Sequence, residues 1–196
     1  MVSALSCAGS RVLSPAEAAA IRAVISRPSS RALFDLLIYS GLRFAEVRQL
    51  AANPAIFDEE RGTLTIRSMK PKATVPARNV ILGDRGRAAV RAFLDLGAKV
   101  PRDVTTWQRN LIAWATAAGL APLPGAPAAG NPFGITARTS RKTWESWLLA
   151  ACPERLIDIV LSQGHSEAVA IRHYVNLAWT PAEREAIRAE VAGWCR

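Results

Sequence analysis

The spacing of hydrophobic and polar positions follows a helical period over most of the chain. Ser14-Pro15-Ala16-Glu17 combines an N-cap serine, a first-turn proline and a capping-box glutamate, so a helix should begin here and run to about Ser26. Gly41 can end the second helix in a left-handed cap, and a short helix with Arg43 in its first turn should end near Leu50. Helices are predicted over residues 14–26, 29–39, 84–96, 103–118, 136–151, 154–163, 166–173 and 181–194.

Three short segments break this helical pattern and predict strands. Ile56-Phe57 and Thr63–Ile66 flank a glycine-containing turn, and Asn79–Leu82 follows the turn formed by Lys70-Pro71-Lys72. Together they predict a small, three-stranded antiparallel sheet embedded in a mainly helical α+β protein.

The composition predicts one globular domain with a polyanionic partner. Half of the 196 residues are hydrophobic, which is enough for one substantial core, and Lys and Arg exceed Asp and Glu by nine charges. Such an excess favours nucleic acid, and after it an anionic membrane surface, although basic charge can also simply aid solubility. Residues 119–134 are rich in Pro, Gly and Ala, and we expect a long surface loop or hinge there, not a domain boundary.

The cysteines and histidines indicate the redox compartment of the protein and whether it could bind a metal. Cys7, Cys152 and Cys195 are odd in number and far apart, which argues against a disulfide framework and for a reducing compartment. The only histidines are His165 and His173, and no Cys/His cluster has metal-ligand spacing, so no metal site is expected from these residues. No signal peptide and no membrane span are evident. We expect a cytoplasmic, nucleoid-associated protein, or one that acts in a host cell if it is viral.

Tyr174 is the candidate with the most unusual chemistry. Phenol loses its proton near pH ~10, so a reactive tyrosine needs cationic groups around it and around its target. Tyr174 ends the predicted helix that His165 begins, whereas Tyr39 lies on an apolar helix face and is expected in the core. His165 could donate to a phosphate oxygen or move a proton, but a packing role is the alternative. His173 is expected to pack or to contact DNA, and it is less well placed to assist proton removal.

The arginines upstream are suited to holding a phosphate. Arg43 can hold two phosphate oxygens with parallel hydrogen bonds, and Glu46, one turn later, could orient its guanidinium. Arg138 and Arg141 are three residues apart on a predicted helix and so share a face, whereas Lys142 points elsewhere. Taken singly, a surface ion pair is the favoured interpretation of Arg43 with Glu46, and a solvated basic helix face is the favoured interpretation of Arg138 with Arg141.

Two lysines occupy the predicted turn between the second and third strands. A lysine on such a hairpin tip can reach a DNA groove and protonate a departing oxygen, because neighbouring cations lower its pKa. Lys72 and Lys70 are the candidates, and a solvated turn lysine is the alternative reading of both.

The order and spacing of these residues closely resemble the catalytic domain of the tyrosine recombinase (phage integrase) family. That family typically shows Gly-Leu-Arg-x-x-Glu, a hairpin lysine, His-x-x-Arg, Leu-Gly-His and a C-terminal tyrosine. The corresponding positions here are Gly41-Leu42-Arg43 with Glu46, Lys70 or Lys72, Arg138-x-x-Arg141, Gln163-Gly164-His165 and Tyr174. The resemblance spans about residues 14–190 and looks closer to archaeal and archaeal-virus integrases. It implies the DNA breaking-rejoining fold over 14–196, after an N-terminal extension of residues 1–13, with the family's core-binding domain absent.

The resemblance also implies a mechanism and partners. Tyr174 would attack a DNA phosphate and leave a 3′-phosphotyrosine, while Lys72, or failing it Lys70, protonates the departing 5′-oxygen. The groups expected to bind the phosphate are Arg43, Arg141, Arg138 and His165, supported by Glu46 and His173. No cofactor or metal is implied. The partner would be double-stranded DNA, on which the protein would act in integration or excision as a homotetramer and away from which it would be a monomer.

Two departures from the family pattern leave alternatives open. Arg138 stands where the family has a histidine, and arginine cannot act as a general base near neutral pH. The missing core-binding domain puts autonomous recombination in doubt more than the phosphodiester chemistry. A non-catalytic DNA-binding protein that keeps the fold, or a type IB topoisomerase-like enzyme that relaxes supercoils, are therefore the competing hypotheses.

Overall fold

The computed structural model describes residues 4–68, 77–125, 130–165, 167–168, 170 and 177–195. The helices are α1 (Pro15–Val24), α2 (Pro28–Ser40), α3 (Val47–Ala52), α4 (Asp84–Asp95), α5 (Val104–Ala117), α6 (Thr139–Ala151), α7 (Leu156–Gln163) and α8 (Pro181–Glu190), with 3-10 turns at Pro54–Ile56 and Pro153–Arg155. The strands are β1 (Leu5–Cys7), β2 (Ser10–Val12), β3 (Phe57–Asp58), β4 (Thr63–Arg67) and β5 (Ala77–Ile81). The predicted class, mainly helical with a small antiparallel sheet, is confirmed.

Local capping signals place the ends of several helices as predicted. The Ser14 hydroxyl accepts a hydrogen bond from the Glu17 amide at 3.2 Å, and the Glu17 carboxylate accepts one from the Ser14 amide at 3.0 Å. This reciprocal pair is the predicted capping box of α1. Gly41 and Gly164 end α2 and α7 with φ angles of +64° and +71°. The predicted helix 166–173 falls mostly outside the described residues.

The three-stranded sheet forms in the order β3-β4-β5, with antiparallel pairing throughout. Its register sets Thr63 opposite Ile81 and Arg67 opposite Ala77. Leu64 on β4 is fully buried, as expected for a sheet with one face on the core. The β4–β5 pairing confirms the predicted hairpin, although residues 69–76, with Lys70 and Lys72, lie outside the described ranges.

The hairpin of β1 and β2 was missed from the sequence. Its strands have three residues each, too few to show a period, and its turn carries Ala8 and Gly9 with φ angles of +43° and +70°. Residues 1–13 were expected to be a simple extension, yet this hairpin contacts α6. The Leu13 amide donates to the Thr143 hydroxyl at 2.9 Å, which ties the end of the hairpin to that helix.

Helix α6 lies at the centre of the core. It contacts α2, α7, α8 and β2, and its Trp144 and Trp147 side chains are completely buried. Tyr39 on α2 is also buried, and its hydroxyl donates to the Glu190 carboxylate on α8 at 2.8 Å. The expectation that Tyr39 belongs to the core is confirmed. No helix within the described ranges has the length and apolar character needed to cross a membrane.

Three local predictions are corrected by the structure. Arg43 precedes α3 instead of lying in its first turn, because the Glu46 amide closes a turn onto the Arg43 carbonyl at 2.8 Å. Helix α6 begins at Thr139, three residues later than predicted. Cys152 and Cys195 form a disulfide with 5.9 Å between their Cα atoms, so the expectation against disulfide pairing is wrong for these two cysteines. They are far apart in sequence, but the fold brings the two chain segments together.

Candidate functional site

Three arginines from distant parts of the chain converge on the C-terminal end of α7. Each donates a side-chain N–H to one of three consecutive carbonyls there: Arg78 to Ser162 at 2.9 Å, Arg141 to Gln163, and Arg43 to Gly164 at 3.5 Å. The last carbonyls of a helix have no partners within the helix and carry partial negative charge. The end of α7 is therefore a natural acceptor for cationic groups, and it gathers them into one cluster.

Glu46 joins two of these arginines. One carboxylate oxygen accepts from Arg43 at 2.7 Å and from Arg78 at 2.8 Å, and the other accepts from Arg78 at 2.9 Å and from the Arg43 amide at 2.8 Å. Burial by itself would raise the pKa of Glu46, but the bonds and charge of Arg78, and then of Arg43, hold it at about 2. Glu46 thus remains ionised and lies where the sequence suggested, against the Arg43 guanidinium.

Glycine at two positions allows this close approach. A Cβ atom on Gly41 would lie 2.5 Å from the Gln163 side-chain oxygen, and one on Gly164 would lie 2.7 Å from the Arg78 Cδ atom. Both residues also have left-handed backbones that L side chains rarely adopt. The glycines of the two sequence motifs therefore bring the ends of α2 and α7 together, and the Gly41 carbonyl becomes an acceptor for Arg141 at 2.7 Å.

Arg141 is fixed in place before any ligand binds. Its guanidinium donates to the carbonyls of Gly41 and Gln163, one from each helix end. Burial, followed by the positive charge of Arg43, lowers the pKa of Arg141 to about 10, so the group remains charged at neutral pH. By contrast, the Arg43 side chain is 49% exposed. Arg141 is thus held rigidly, whereas Arg43 forms the solvent-exposed part of the cluster.

His165 contacts a buried carboxylate that the sequence analysis missed. Its Nε2 atom lies against the carboxylate of Glu145, whose side chain is completely buried, whereas the His165 side chain is 15% exposed. Glu145 lies one helical turn after Arg141 on α6. The available signal was a charged residue between Trp144 and Trp147 on a helix face that should be buried, because a buried carboxylate is rare without a specific partner.

Arg138 and Lys142 flank Arg141 but lie in different surroundings. Arg138 occupies the N-cap of α6 and is exposed, and within the described residues its side chain makes no hydrogen bond or ion pair. Lys142 is buried, and its ammonium donates to the Cys7 and Ala8 carbonyls of the N-terminal hairpin. Lys142 therefore points away from the arginine cluster, as predicted, while Arg138 remains a cation available at the start of α6.

The structure brings together only part of the predicted set. Arg43, Glu46, Arg141 and His165 meet at the end of α7, and the structure adds Arg78 and Glu145 to them. Lys70, Lys72, His173 and Tyr174 lie outside the described residues, so their roles stay predictions. Arg78 is the second residue of β5, which places the end of the lysine hairpin beside the cluster.

The charge of this cluster suits an anion with several oxygens. Four arginines lie in or beside it, at positions 43, 78, 138 and 141, against the two carboxylates of Glu46 and Glu145. Guanidinium groups match the geometry of phosphate oxygens. Among the described residues, no group of three or more His, Cys, Asp or Glu side chains could hold a metal ion.

Comparison with known proteins bears on the fold. No protein-family model matches the sequence, and no curated protein matches it. Among solved structures, XerA recombinase has a similar fold, with a TM-score of 0.62 at 20% identity over 91% of this chain and 64% of that one. The chain thus spans less than two thirds of the recombinase chain. At this identity the likeness establishes the fold alone: a recombinase-like, mainly helical domain with a small antiparallel sheet, while the closer likeness to archaeal integrases remains a prediction.

Proposed function

We propose that this chain cleaves and rejoins DNA strands through a phosphotyrosine intermediate, as a catalytic domain acting in site-specific recombination. The observation that carries the proposal is the meeting of Arg43, Arg141 and His165 at the end of α7, in a recombinase-like fold. These residues are spread over more than 120 positions of the sequence, yet they form one half-open cationic cluster. The proposed partner is double-stranded DNA, on which several copies assemble.

The arginines supply electrostatic stabilisation. In the proposed reaction Arg141 and Arg43 bind the non-bridging oxygens of the scissile phosphate, and Arg138 adds a third cation from the start of α6. The charge on these oxygens increases as the pentacoordinate transition state forms, so donors that are already fixed cost no reorganisation. The two helix-end carbonyls that hold Arg141 provide this fixation.

The proposed cleavage and rejoining steps need no cofactor. The Tyr174 oxygen forms a bond to phosphorus, the bond from phosphorus to the 5′-oxygen breaks, and Lys72 gives its proton to that oxygen. Tyr174 loses its proton to His165, since Arg138 cannot accept one. A 5′-hydroxyl from another strand then attacks the phosphotyrosine and reverses these events. The phosphodiester energy is conserved in the covalent intermediate, so no nucleotide is consumed.

A trapping experiment tests the proposal without knowledge of the DNA site. The protein is incubated with a library of nicked duplexes of randomised sequence, in which the short strand beyond the cleaved bond diffuses away. SDS-resistant protein–DNA adducts are then isolated and sequenced. We expect adducts with a defined sequence preference that vanish in Tyr174→Phe. The matched control is Tyr39→Phe, the other tyrosine of the chain, which should keep them.

The same assay separates the competing functions. Binding to the library that weakens with salt, without any adduct, would identify a DNA-binding protein, because any basic fold gives such binding. An adduct accompanied by relaxation of supercoiled plasmid, but by no joined recombinant strand, would favour topoisomerase-like activity. The replacement of the usual histidine by Arg138 is the sequence feature that favours the non-catalytic alternative.

A further inference from the structure

We propose that Arg78 is a positioning residue that holds the carboxylate of Glu46 and so leaves Arg43 charged and available to bind a phosphate. The inference rests on the proposed function, since it concerns how the same site keeps its positive charge for the phosphate of DNA. The contacts among the three side chains do not depend on that function.

Arg78 directs its guanidinium to the protein itself. Its two Nη atoms donate to the two oxygens of Glu46 at 2.8 and 2.9 Å, and its Nε atom donates to the Ser162 carbonyl at 2.9 Å. The side chain is only 12% exposed. Its Cδ atom lies so close to Gly164 that a Cβ atom there would be 2.7 Å away. Arg78 is therefore fixed between β5 and the end of α7, and its donors are not directed to a ligand from solvent.

Arg43 has the opposite arrangement. Within the described residues its guanidinium makes two hydrogen bonds, to one Glu46 oxygen at 2.7 Å and to the Gly164 carbonyl at 3.5 Å. A guanidinium has five N–H groups, and 49% of this side chain is exposed. Arg43 therefore keeps donors for an anion that arrives from solvent.

Glu46 would cancel the charge of Arg43 if it had no other cationic partner. Its side chain is 4% exposed, and although burial raises its pKa, the bonds and charge of Arg78 and then of Arg43 hold that pKa at about 2. A carboxylate that is paired with a single guanidinium neutralises it and competes with a phosphate for its N–H groups. Because Arg78 binds both oxygens, two positive charges share one negative charge, and the three side chains keep a positive charge in excess.

The burial of Arg78 and Glu46 lets their charges act on the whole cluster. Salt screens exposed charges, but it screens buried ones much less. Burial and then the charge of Arg43 lower the pKa of Arg141, and among the further causes Arg78 lowers it while Glu46 raises it. The charges of Arg78 and Glu46 thus reach the second arginine that is proposed to bind the phosphate. Arg78 therefore supports the positive potential at both phosphate-binding arginines.

A phosphate titration of paired variants tests this role. Inorganic phosphate is added at constant ionic strength, and binding is followed through the NMR signals of the arginine Nε–H groups. In Arg78→Met the affinity should fall roughly tenfold or more, because Glu46 then neutralises Arg43. Adding Glu46→Gln restores the charge balance, so the double variant should bind within about threefold of wild type. Arg61→Met is the matched control, since it breaks an exposed pair with Asp58 at the β3–β4 turn, and it should leave the affinity unchanged.

The double variant separates charge from structure. It lacks every hydrogen bond that Arg78→Met lacks, so a purely structural role of Arg78 predicts the same loss of affinity in both. Such a persistent loss, or an unchanged affinity in folded Arg78→Met, would overturn the inference, and circular dichroism reports the folding. If Arg78→Met does not fold, Glu46→Gln alone decides. It removes the negative charge and should tighten phosphate binding, whereas weaker binding would contradict the proposal.

A second measurement needs no ligand. Rotation about the Nε–Cζ bond of Arg43, read from the exchange of its Nη NMR signals, slows when a carboxylate binds the guanidinium more strongly. The rotation should be slower in Arg78→Met than in wild type, because Glu46 no longer shares its charge between two arginines. Equal or faster rotation in a folded Arg78→Met protein is the result that speaks against the inference.

The trapping assay connects Arg78 to cleavage. At saturating DNA, the rate of adduct formation should fall roughly tenfold or more in Arg78→Met, and the double variant with Glu46→Gln should recover most of it. Wild-type protein that binds phosphate but forms no adduct contradicts the proposed function alone, and the two NMR measurements still decide the role of Arg78. Wild-type protein that binds no phosphate would remove the anion site, and the inference with it.

Discussion

The arginine cluster at the end of α7 and the Tyr39 cluster between α2 and α8 both contain arginine and glutamate. They differ in the ratio of positive to negative charges. Around Tyr39, the Glu190 carboxylate accepts from the phenol at 2.8 Å and pairs with Arg85 at 2.9 Å, so one carboxylate meets one arginine. At the end of α7, arginines outnumber carboxylates, and each carboxylate contacts a cationic group or a histidine. The first cluster is neutral, whereas the second carries an excess of positive charge. The Arg85 and Arg43 side chains are each 49% exposed, so the two clusters differ in charge and not in exposure to solvent.

This difference indicates what makes a tyrosine reactive. Burial, followed by the hydrogen bond to Glu190, raises the pKa of Tyr39 well above its usual value, so this phenol stays protonated. A tyrosine brought to the arginine cluster would meet the reverse balance, in which excess cations favour the phenolate. The presence of tyrosine, arginine and glutamate in one place is thus insufficient, because the ratio of charges decides the chemistry.

The largest expected difference between the two clusters is in the free energy of unfolding that is lost when the bridging carboxylate of each is removed. Glu46→Ala leaves Arg78, whose side chain is 12% exposed, without its two carboxylate bonds. Breaking a buried pair in this way costs about 3–5 kcal/mol. Glu190→Ala removes a partly exposed pair and should cost about 1 kcal/mol. Chemical denaturation of both variants measures this contrast, and equal losses would mean that the two clusters support the fold alike.

Loss of an arginine should affect cleavage in one cluster only. Arg141→Ala should reduce the rate of adduct formation by roughly 10²–10³-fold, the usual effect of removing one preorganised donor to a developing negative charge. Arg85→Ala, in the Tyr39 cluster, should leave the rate unchanged. Arg141→Lys separates charge from geometry, because lysine cannot span both the Gly41 and Gln163 carbonyls. Full activity in Arg141→Ala would remove this residue from the proposed site.

The parts of the arginine cluster that the sequence predicts are those with a local cause. Gly41 was recognised as a left-handed helix cap, and Arg43 with Glu46 as a pair one turn apart, because each involves neighbours in the chain. Arg78 was not predicted, since its contact with Glu46 joins residues 32 positions apart and depends on how β5 meets the turn before α3. Such a contact cannot be predicted from the spacing of residues in the sequence.

Long-range packing likewise explains what was missed elsewhere. The contact between Glu145 and His165 forms only because the end of α7 places His165 against α6. Cys152 and Cys195 become a pair only because the chain after α8 returns to the end of α6. The N-terminal hairpin is stabilised by its contacts with α6, which its own short strands do not reveal. The fold class, by contrast, follows from helix periodicity and strand length alone.

The two clusters should also respond to opposite ends of the pH scale. The folded-state pKa of Glu46 is about 2, below the usual value of 4.5. Its stabilisation is therefore complete above pH ~4.5 and is lost as the pH falls towards 2, a change of about 3 kcal/mol. The raised pKa of Tyr39 acts in the other direction, because its contribution is complete below pH ~10 and is lost at higher pH.

Denaturation measured as a function of pH checks both the acid and the alkaline loss of stability, which we call the acid arm and the alkaline arm. In Glu46→Gln the stability should change less between pH 4.5 and 2 than in wild type, while the alkaline arm stays the same. An acid arm unaffected by this substitution would show that other carboxylates, and not the bridge between Arg43 and Arg78, govern acid unfolding.

The smallest expected effect is that of Tyr39→Phe, and it bears most directly on the comparison. The change removes one hydroxyl that donates to Glu190 and accepts from Arg85 at 3.2 Å, while the ring keeps its edge contact with Trp144. A loss of about 1 kcal/mol is expected, because the Glu190–Arg85 ion pair remains and leaves the carboxylate partnered. Adduct formation should be unchanged and the alkaline loss of stability should disappear. If adduct formation fell as it should in Tyr174→Phe, the neutral cluster could no longer be treated as chemically inert, and charge ratio would not be what distinguishes the two tyrosines.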